Sequence, residues 1–182
     1  MKDIKKVILI LTFLSVFTGM ILFSGCQKGG GGKDYPPKPP EQFETDVLLT
    51  AGKEEIGAHL SYHGFGNCVL SFTSPENLNG LSAVWQGEKC VLSYNNLSYT
   101  ADLNKLPEGF FGKAALAVFD KLLDIESFTV TKEGDKWVYK GEINSGSFRL
   151  VQNSQSGAFE VLEIPEIKLT LKFENFKAVK EE

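Results

Sequence analysis

Short segments in which apolar and polar residues alternate make up most of this chain after residue 45. Alternation with a period of two is typical of strands that are buried on one side. Turns rich in Gly, Asn, Asp and Ser separate most neighbouring segments, and such short connections predict antiparallel pairing, because parallel strands need a long crossover. The predicted strands are residues 46–50, 56–62, 67–73, 82–86, 89–94, 127–132, 136–142, 147–152, 158–163 and 168–173. The sequence therefore predicts one up-and-down antiparallel sheet of about ten strands, which must curl strongly at that length.

The alternation also assigns side chains to the two faces of the sheet. Within residues 136–142, Trp137 and Tyr139 point to one face, and Val138 and Lys140 point to the other. The other predicted strands repeat this division between apolar and polar positions. We therefore expect one apolar face and one face in contact with water.

The single long break in the strand pattern predicts a helix. Pro107 and Glu108 suit the first turn of a helix, and residues 110–123 follow with Gly112 as their only strong helix breaker. The apolar stripe of this segment comprises Phe111, Ala115, Leu116, Val118, Phe119, Leu122 and Leu123. A stripe this broad favours a helix enclosed by a curled sheet. The predicted fold class is thus α+β, a curled antiparallel half-barrel wrapped around one main apolar helix.

The first 25 residues have the features of a bacterial lipoprotein signal peptide. Lys2, Lys5 and Lys6 precede an uncharged stretch, residues 7–23, as in the positive and apolar regions of secretory signals. The stretch leads into LFSGC, which resembles a lipobox, so we expect cleavage before Cys26 and attachment of diacylglycerol to its thiol. The alternative is an uncleaved membrane anchor, because the apolar stretch approaches a membrane-spanning length.

Residues 26–42 are predicted to form the lipidated cysteine and a tether. The glycines at 29–32 give flexible coil, and PPKPP at 36–40 favours an extended, stiff chain. Such a tether predicts a domain held by acyl chains at the extracytoplasmic face of the cell membrane. The formal net charge is −4, which argues against a nucleic-acid partner.

The residues that usually carry catalysis or bind metals form no recognisable site in this sequence. His59 and His63 share one face of a predicted strand about 13 Å apart, which is too far for a common zinc ion. Cys68 and Cys90 lie on predicted strands two apart, and the sequence leaves open both a disulfide and a pair of buried free thiols. No serine lies in a nucleophile-elbow motif. We therefore predict a non-enzymatic protein with no catalytic residue, no metal site and no cofactor.

Two sequence stretches, together with the lipobox, the tether and the predicted sheet, carry a resemblance to a known family. Residues 69–81, VLSFTSPENLNGL, look like F-x-x-P-x-x-L-x-G-L, and residues 94–97, YNNL, look like Y-x-G-L with Asn96 in place of Gly. Small Gram-positive lipoproteins of this fold have similar stretches. The predicted architecture over residues 43–176 resembles the LolA/LolB-like and LppX-like lipoprotein carriers, and a charged tail, 177–182, follows. These carriers usually begin with a helix that helps to cover the cavity, whereas here the tether leads almost directly into a strand.

The resemblance implies that the concave face of the sheet binds a lipid or another hydrophobic small molecule. The aromatic residues that we predict to bind this ligand are Phe72, Trp85, Phe110, Phe111 and Phe119. The alternative is a structural or interaction lipoprotein in which these side chains only fill the core, as inward-facing aromatic residues usually do. An apolar space above roughly 300 Å³ would favour ligand binding. The sequence does not identify a protein partner.

Overall fold

The fold is built on one antiparallel sheet of eleven strands, seen in a computed structural model that describes residues 36–107 and 110–179. The strands are β1 (Phe43–Ala51), β2 (Glu54–Tyr62), β3 (Asn67–Ser74), β4 (Leu81–Gln86), β5 (Lys89–Tyr94), β6 (Leu97–Asp102), β7 (Phe128–Glu133), β8 (Lys136–Ile143), β9 (Gly146–Asn153), β10 (Phe159–Ile164) and β11 (Leu169–Ala178). Their order is β6-β5-β4-β3-β2-β1-β11-β10-β9-β8-β7, so β6 and β7 are the edges. The predicted fold class is confirmed. Cys26 and the predicted signal peptide lie outside the described residues.

The sequence pattern missed one strand, the edge strand β6. Tyr94 and Leu97 flank a two-residue turn in which Asn95 has a positive φ of 53°, a conformation that asparagine tolerates well in hairpins. After this turn, Leu97, Tyr99 and Ala101 alternate with polar residues. They pair with Tyr94, Leu92 and Cys90 of β5. The sheet therefore has eleven strands rather than ten.

The one α-helix of the described chain, α1 (Phe111–Lys121), lies on the concave face of the sheet. It is shorter at both ends than the predicted 110–123. Its buried residues are Gly112, Ala114, Ala115, Leu116, Val118 and Phe119. Gly112 allows the helix to approach the sheet closely, because a Cβ there would overlap the ring carbons Cζ2 and Cη2 of Trp85. Among the described residues, no helix is long and apolar enough to cross a membrane.

The C-terminal half of α1 is fixed to the sheet by aromatic packing and by one carboxylate. Phe119 packs edge-on against Phe43, with ring centroids 5.2 Å apart, and contacts Tyr62 at 5.5 Å. Asp120 Oδ1 accepts hydrogen bonds from the Tyr62 hydroxyl at 2.8 Å and from the backbone N–H of Gly66 at 3.0 Å. Burial raises the pKa of the Asp120 carboxyl, although both hydrogen bonds favour its ionised form. The position of α1 on the sheet is therefore set by apolar and polar contacts together.

The convex face is not as uniformly exposed to water as the alternation predicted. Val138 of β8 and its partner Val151 of β9 are both buried there. Ion pairs between long side chains lie across this region: Lys136–Glu160, Lys140–Glu133, Arg149–Glu133 and Arg149–Glu163. The aliphatic parts of such side chains cover apolar surface while their charged ends stay in water. This covering explains why Val138 is buried on the face that was expected to be wet.

Candidate functional site

The space between α1 and the sheet is filled. It measures about 10 Å³, which is about the smallest space that holds one water molecule. Of the five residues predicted to bind a ligand, Phe72, Trp85 and Phe119 are buried in this packed region. Phe110 and Phe111 are half-buried at the N-terminal end of α1, with ring centroids 5.0 Å apart.

The structure brings four of these five residues together around the first turn of α1. Phe111 packs edge-on against Phe72 at 6.2 Å, and the neighbouring Gly112 lies against the ring of Trp85. Phe119 lies about two helical turns further along. It lines the same small space as Trp85 and Phe111 and also packs in the aromatic cluster around Phe43. The role of the five residues as ligand contacts stays a prediction.

Trp85 lies between the two cysteines, which are its direct neighbours on the adjacent strands. Cys68 and Cys90 are free and buried, so the structure contains the second of the two alternatives that the sequence left open. Burial raises the pKa of Cys68 to about 12, which keeps its thiol protonated and unreactive at neutral pH. The indole Nε1 of Trp85 is the one buried side-chain nitrogen or oxygen, among the described residues, that has no hydrogen-bond partner.

Prolines of the predicted tether cover one end of the concave face. Pro39 is buried, and Pro36 and Pro37 are half-buried. Tyr139, a core residue of β8, donates a hydrogen bond to Gln152 Oε1 at 2.5 Å, and its hydroxyl lies 3.2 Å from the carbonyl oxygen of Pro37. The packed unit therefore begins within the predicted tether, at Pro36.

The other end of the concave face, on β4, β5 and β6, is open to water. We define the open face as five apolar side chains around a hollow of about 190 Å³: Leu81, Leu92, Tyr94, Leu97 and Tyr99. These residues continue the core face of the sheet, because Leu92 pairs with buried Ala83 on one side and with Tyr99 on the other. Leu97 is 75% exposed and Tyr99 is 68% exposed. A contiguous exposed apolar patch of this kind is typical of a binding surface.

None of the open-face residues was predicted as a site residue. The signal that could have found them is the alternation of Leu97, Tyr99 and Ala101 directly after a two-asparagine turn. Once β6 is recognised as the end strand of the sheet, its apolar side chains have no further strand beside them. Their exposure then follows from their position at the edge.

Two larger grooves contain charges of both signs. One, of about 460 Å³, runs along β6 and includes Glu88, Lys89, Asp102 and Lys105. The other, of about 660 Å³, lies beside α1 and includes Lys113, Asp120, Lys121 and Glu142. Because each groove has acidic and basic side chains in equal number, neither selects a ligand of one charge.

The side chain of His59 takes part in a surface hydrogen-bond network. His59 Nδ1 lies 2.9 Å from Asp46 Oδ1, and Asn175 donates to the other oxygen of the same carboxylate at 2.8 Å. These hydrogen bonds, that of Asn175 first, lower the pKa of Asp46. Within the described residues, no group of three or more His, Cys, Asp or Glu side chains is arranged to hold a metal ion.

Comparison with known proteins finds no matching family model and no matching curated protein. Similar solved structures include the LolA superfamily protein NE2245 from Nitrosomonas europaea, at 11% identity over 82% of this chain and 91% of that one, with a TM-score of 0.47. A chain in the structure of the CwlD amidase from Clostridioides difficile in complex with the GerS lipoprotein has 20% identity over 74% and 85%, with a TM-score of 0.48. A DUF1329 family protein from Desulfovibrio piger has 8% identity over 76% and 86%, with a TM-score of 0.41.

The architecture that the resemblance to the LolA-like carriers implied, a curled antiparallel sheet that holds a helix on its concave face, is confirmed. At identities of 20% or less and TM-scores below 0.5, the likeness does not extend to a ligand, a partner or an activity.

Proposed function

We propose that this protein is a lipid-anchored, non-enzymatic binding protein at the extracytoplasmic face of the cell membrane, and that it binds a hydrophobic ligand on its open face. The observation that carries the proposal is the exposed apolar continuation of the core face. Leu97 and Tyr99 are mostly exposed on β6, and Tyr99 is joined to buried Ala83 of β4 through its strand partner Leu92 of β5.

The position of the proposed site follows from how space is distributed on the concave face. Beneath α1 only about 10 Å³ is left, so an acyl chain does not fit there without displacement of core side chains. The open face has about 190 Å³ and an apolar lining. Covering such a surface is favourable by about 25 cal/mol for each Å² of apolar area removed from water. We therefore place the ligand on β4–β6 rather than beneath the helix.

Anchoring and the absence of catalysis are part of the same proposal. The LFSGC sequence supports attachment of lipid to Cys26. The groups most capable of chemistry are otherwise engaged. Cys68 is a buried thiol with a raised pKa, and His59 is paired with Asp46.

The lipid anchor is tested by a single substitution. Cys26→Ala removes the thiol that would receive the diacylglycerol, so we expect no incorporation of labelled palmitate into the variant. Cys68→Ala is the matched control, because its thiol is buried in the core. Normal palmitate labelling of Cys26→Ala would contradict the proposed anchor.

The binding site is tested with a fluorescent fatty acid and matched serine substitutions. Leu97→Ser and Tyr99→Ser remove apolar area from the open face without adding charge, and we expect each to weaken binding at least fivefold. Phe65→Ser is the control, because Phe65 is 74% exposed but lies in the turn between β2 and β3. Equal affinity in all three variants would contradict the proposed site.

A second candidate function, an interaction lipoprotein whose concave face is only core, is favoured by the filled space beneath α1. In that case the open face contacts a protein instead of a small molecule. The intact protein would then fail to bind fluorescent fatty acid at any concentration below the onset of micelle formation. Saturable binding that is weakened by Leu97→Ser excludes this alternative.

A further inference from the structure

The two edges of the sheet differ in their protection against pairing with another strand. β7 ends in Lys132 and Glu133, and the ammonium group of Lys132 lies 5.4 Å from the ring centroid of Trp137. Charged residues on an edge strand discourage pairing. The opposite edge, β6, has no charged residue from Leu97 to Ala101, and no strand of the described chain pairs with its outer side.

The sequence of β6 is complementary to itself in an antiparallel pair. Residues that lie opposite each other in such a pair point to the same face, and Leu97, Tyr99 and Ala101 share the concave face. One register pairs all of residues 97–101 and keeps the apolar faces of both copies on the same side. In this register, Tyr99 lies opposite Tyr99 of the second copy. Leu97 then lies opposite the small side chain of Ala101, and Ser98 lies opposite Thr100. A two-fold axis passes between the two tyrosines, as a symmetric dimer requires.

The charges of the chain permit this contact. The formal net charge is −4, so two copies repel each other at long range. In the register just described, however, every paired residue is uncharged. The first charged side chain, Asp102, lies beyond the paired segment, where its carboxylate accepts a hydrogen bond from the backbone N–H of Asn104 at 2.9 Å.

We infer that two copies of this chain pair through β6, and that the hydrophobic ligand occupies the surface that the two open faces form together. The second half of this inference rests on the proposed function. One hollow of about 190 Å³ is smaller than the roughly 300–1,000 Å³ of ordinary small-molecule sites. Pairing places a second hollow beside the first across the two tyrosines and roughly doubles the apolar space. The second copy therefore completes the site.

Disulfide trapping in the full chain tests the pairing in the membranes of the producing cells. Directly opposite residues in antiparallel strands have Cα atoms about 4.5–5.5 Å apart, which is within the range that a disulfide bridges. We expect Tyr99→Cys to give a reductant-sensitive species of twice the mass under mild oxidation. The buried Cys68 and Cys90 do not compete. Thr131→Cys, which is exposed on the opposite edge strand β7, is expected to give none.

A second pair of substitutions separates specific pairing from random collision. In the Tyr99→Cys chain, Leu97→Lys places a charge against the apolar surface of the second copy, and we expect at least a fivefold loss of the cross-linked species. Phe65→Lys changes a residue of nearly equal exposure away from β6 and is expected to leave cross-linking unchanged. Both lysines lie on exposed positions, so folding is preserved in both chains.

The outcomes distinguish the pairing from the proposed function. The pairing would be overturned if Tyr99→Cys gave no cross-linked species, or if Thr131→Cys gave as much cross-linked species as Tyr99→Cys. It would also be overturned if Leu97→Lys and Phe65→Lys reduced the cross-linking of Tyr99→Cys equally. Cross-linking in a protein that does not bind fluorescent fatty acid would support the pairing and contradict the ligand. Fatty-acid binding without cross-linking would support the proposed function and contradict the pairing alone.

Discussion

The two ends of the concave face have the same kind of sheet beneath them but differ in what covers them. Over β8 and β9, prolines of the N-terminal segment lie on the sheet, and Tyr139 reaches the backbone of Pro37. Over β5 and β6, no described segment takes that position, and Leu97 and Tyr99 remain exposed. The helix α1 occupies the centre between these ends and fills it.

This difference indicates how stability and binding are distributed in the molecule. A side chain that is covered by another segment of the chain contributes its apolar area to folding. A side chain of the same type on the open face does not, and its apolar area is available to a partner. Matched substitutions at covered and open positions should therefore differ in their effect on the free energy of unfolding.

The largest difference is expected between Phe119 and Leu97. Phe119 is 1% exposed and contacts three aromatic rings, so Phe119→Ala should lower the free energy of unfolding by about 3–5 kcal/mol. Leu97→Ala on the open face should change it by less than about 0.5 kcal/mol. Urea denaturation of both variants measures the difference. If Phe119→Ala lowered the free energy of unfolding only slightly, the ring of Phe119 would face unfilled space, and a ligand cavity beneath α1 would be supported.

The next largest effect concerns the close approach of α1 to the sheet at Gly112. A branched side chain there would collide with the ring of Trp85, so we expect Gly112→Val to lower the free energy of unfolding by about 1–3 kcal/mol. Ala117→Val tests the cost of valine in the same helix at a position that faces an open groove. Equal melting temperatures for the two variants would contradict the tight contact between Gly112 and Trp85.

A smaller effect is expected where the prolines cover the sheet. Tyr139→Phe removes the donor to Gln152, whose Oε1 then lies unpaired in the core. We expect the free energy of unfolding to fall by about 1–2 kcal/mol, which is in the lower part of the range for a buried unpaired polar atom. The effect is limited because the Gln152 side chain keeps its hydrogen bond to the carbonyl oxygen of Gly157. Tyr99→Phe, at the open end, should leave the unfolding midpoint unchanged. If Tyr99→Phe lowered the free energy of unfolding as much as Tyr139→Phe, the covered and open ends of the concave face would not differ in their contribution to stability.

The features that could be predicted from the sequence are those fixed by local alternation and helical periodicity. The covered strands and α1 bury long periodic sets of apolar side chains, and their prediction was confirmed. β6 was not recognised in the same way, because two of its three apolar residues, Leu97 and Tyr99, are exposed and because its boundary is a short asparagine turn. Strand pairing across the sheet, rather than local sequence, shows that Tyr99 continues the core face.

The candidate site was less predictable than the fold because coverage is a property of tertiary structure. Alternation places Phe72 and Trp85 on the concave face, but it does not show that α1 leaves no space above them. Pro39 was expected in an extended spacer, and only its contact with the domain shows that it is buried. Segments that are distant in sequence pack on the concave face, and they determine which parts of it are filled, covered or open.

The smallest effect concerns the attachment of α1 to the turn between β2 and β3, and it depends on pH. Burial holds the pKa of the Asp120 carboxyl above its ordinary value of 3.8, so the native state binds this proton more tightly than the unfolded state does. Its contribution to stability is fully present below that value and is lost as the pH rises through the raised pKa. Asp120→Asn keeps an oxygen that accepts from Tyr62 and Gly66 but does not titrate.

We therefore expect the free energy of unfolding of the unsubstituted protein, minus that of Asp120→Asn, to decrease as the pH is raised from below 4 towards neutrality. Taking this difference cancels the titration of exposed carboxyls such as Asp46, whose pKa is lowered and whose contribution has the opposite sign. Urea denaturation at several pH values gives the two curves. A difference that increases with pH would show that the hydrogen bonds from Tyr62 and Gly66 outweigh burial. The contact that holds α1 would then be strongest with Asp120 ionised.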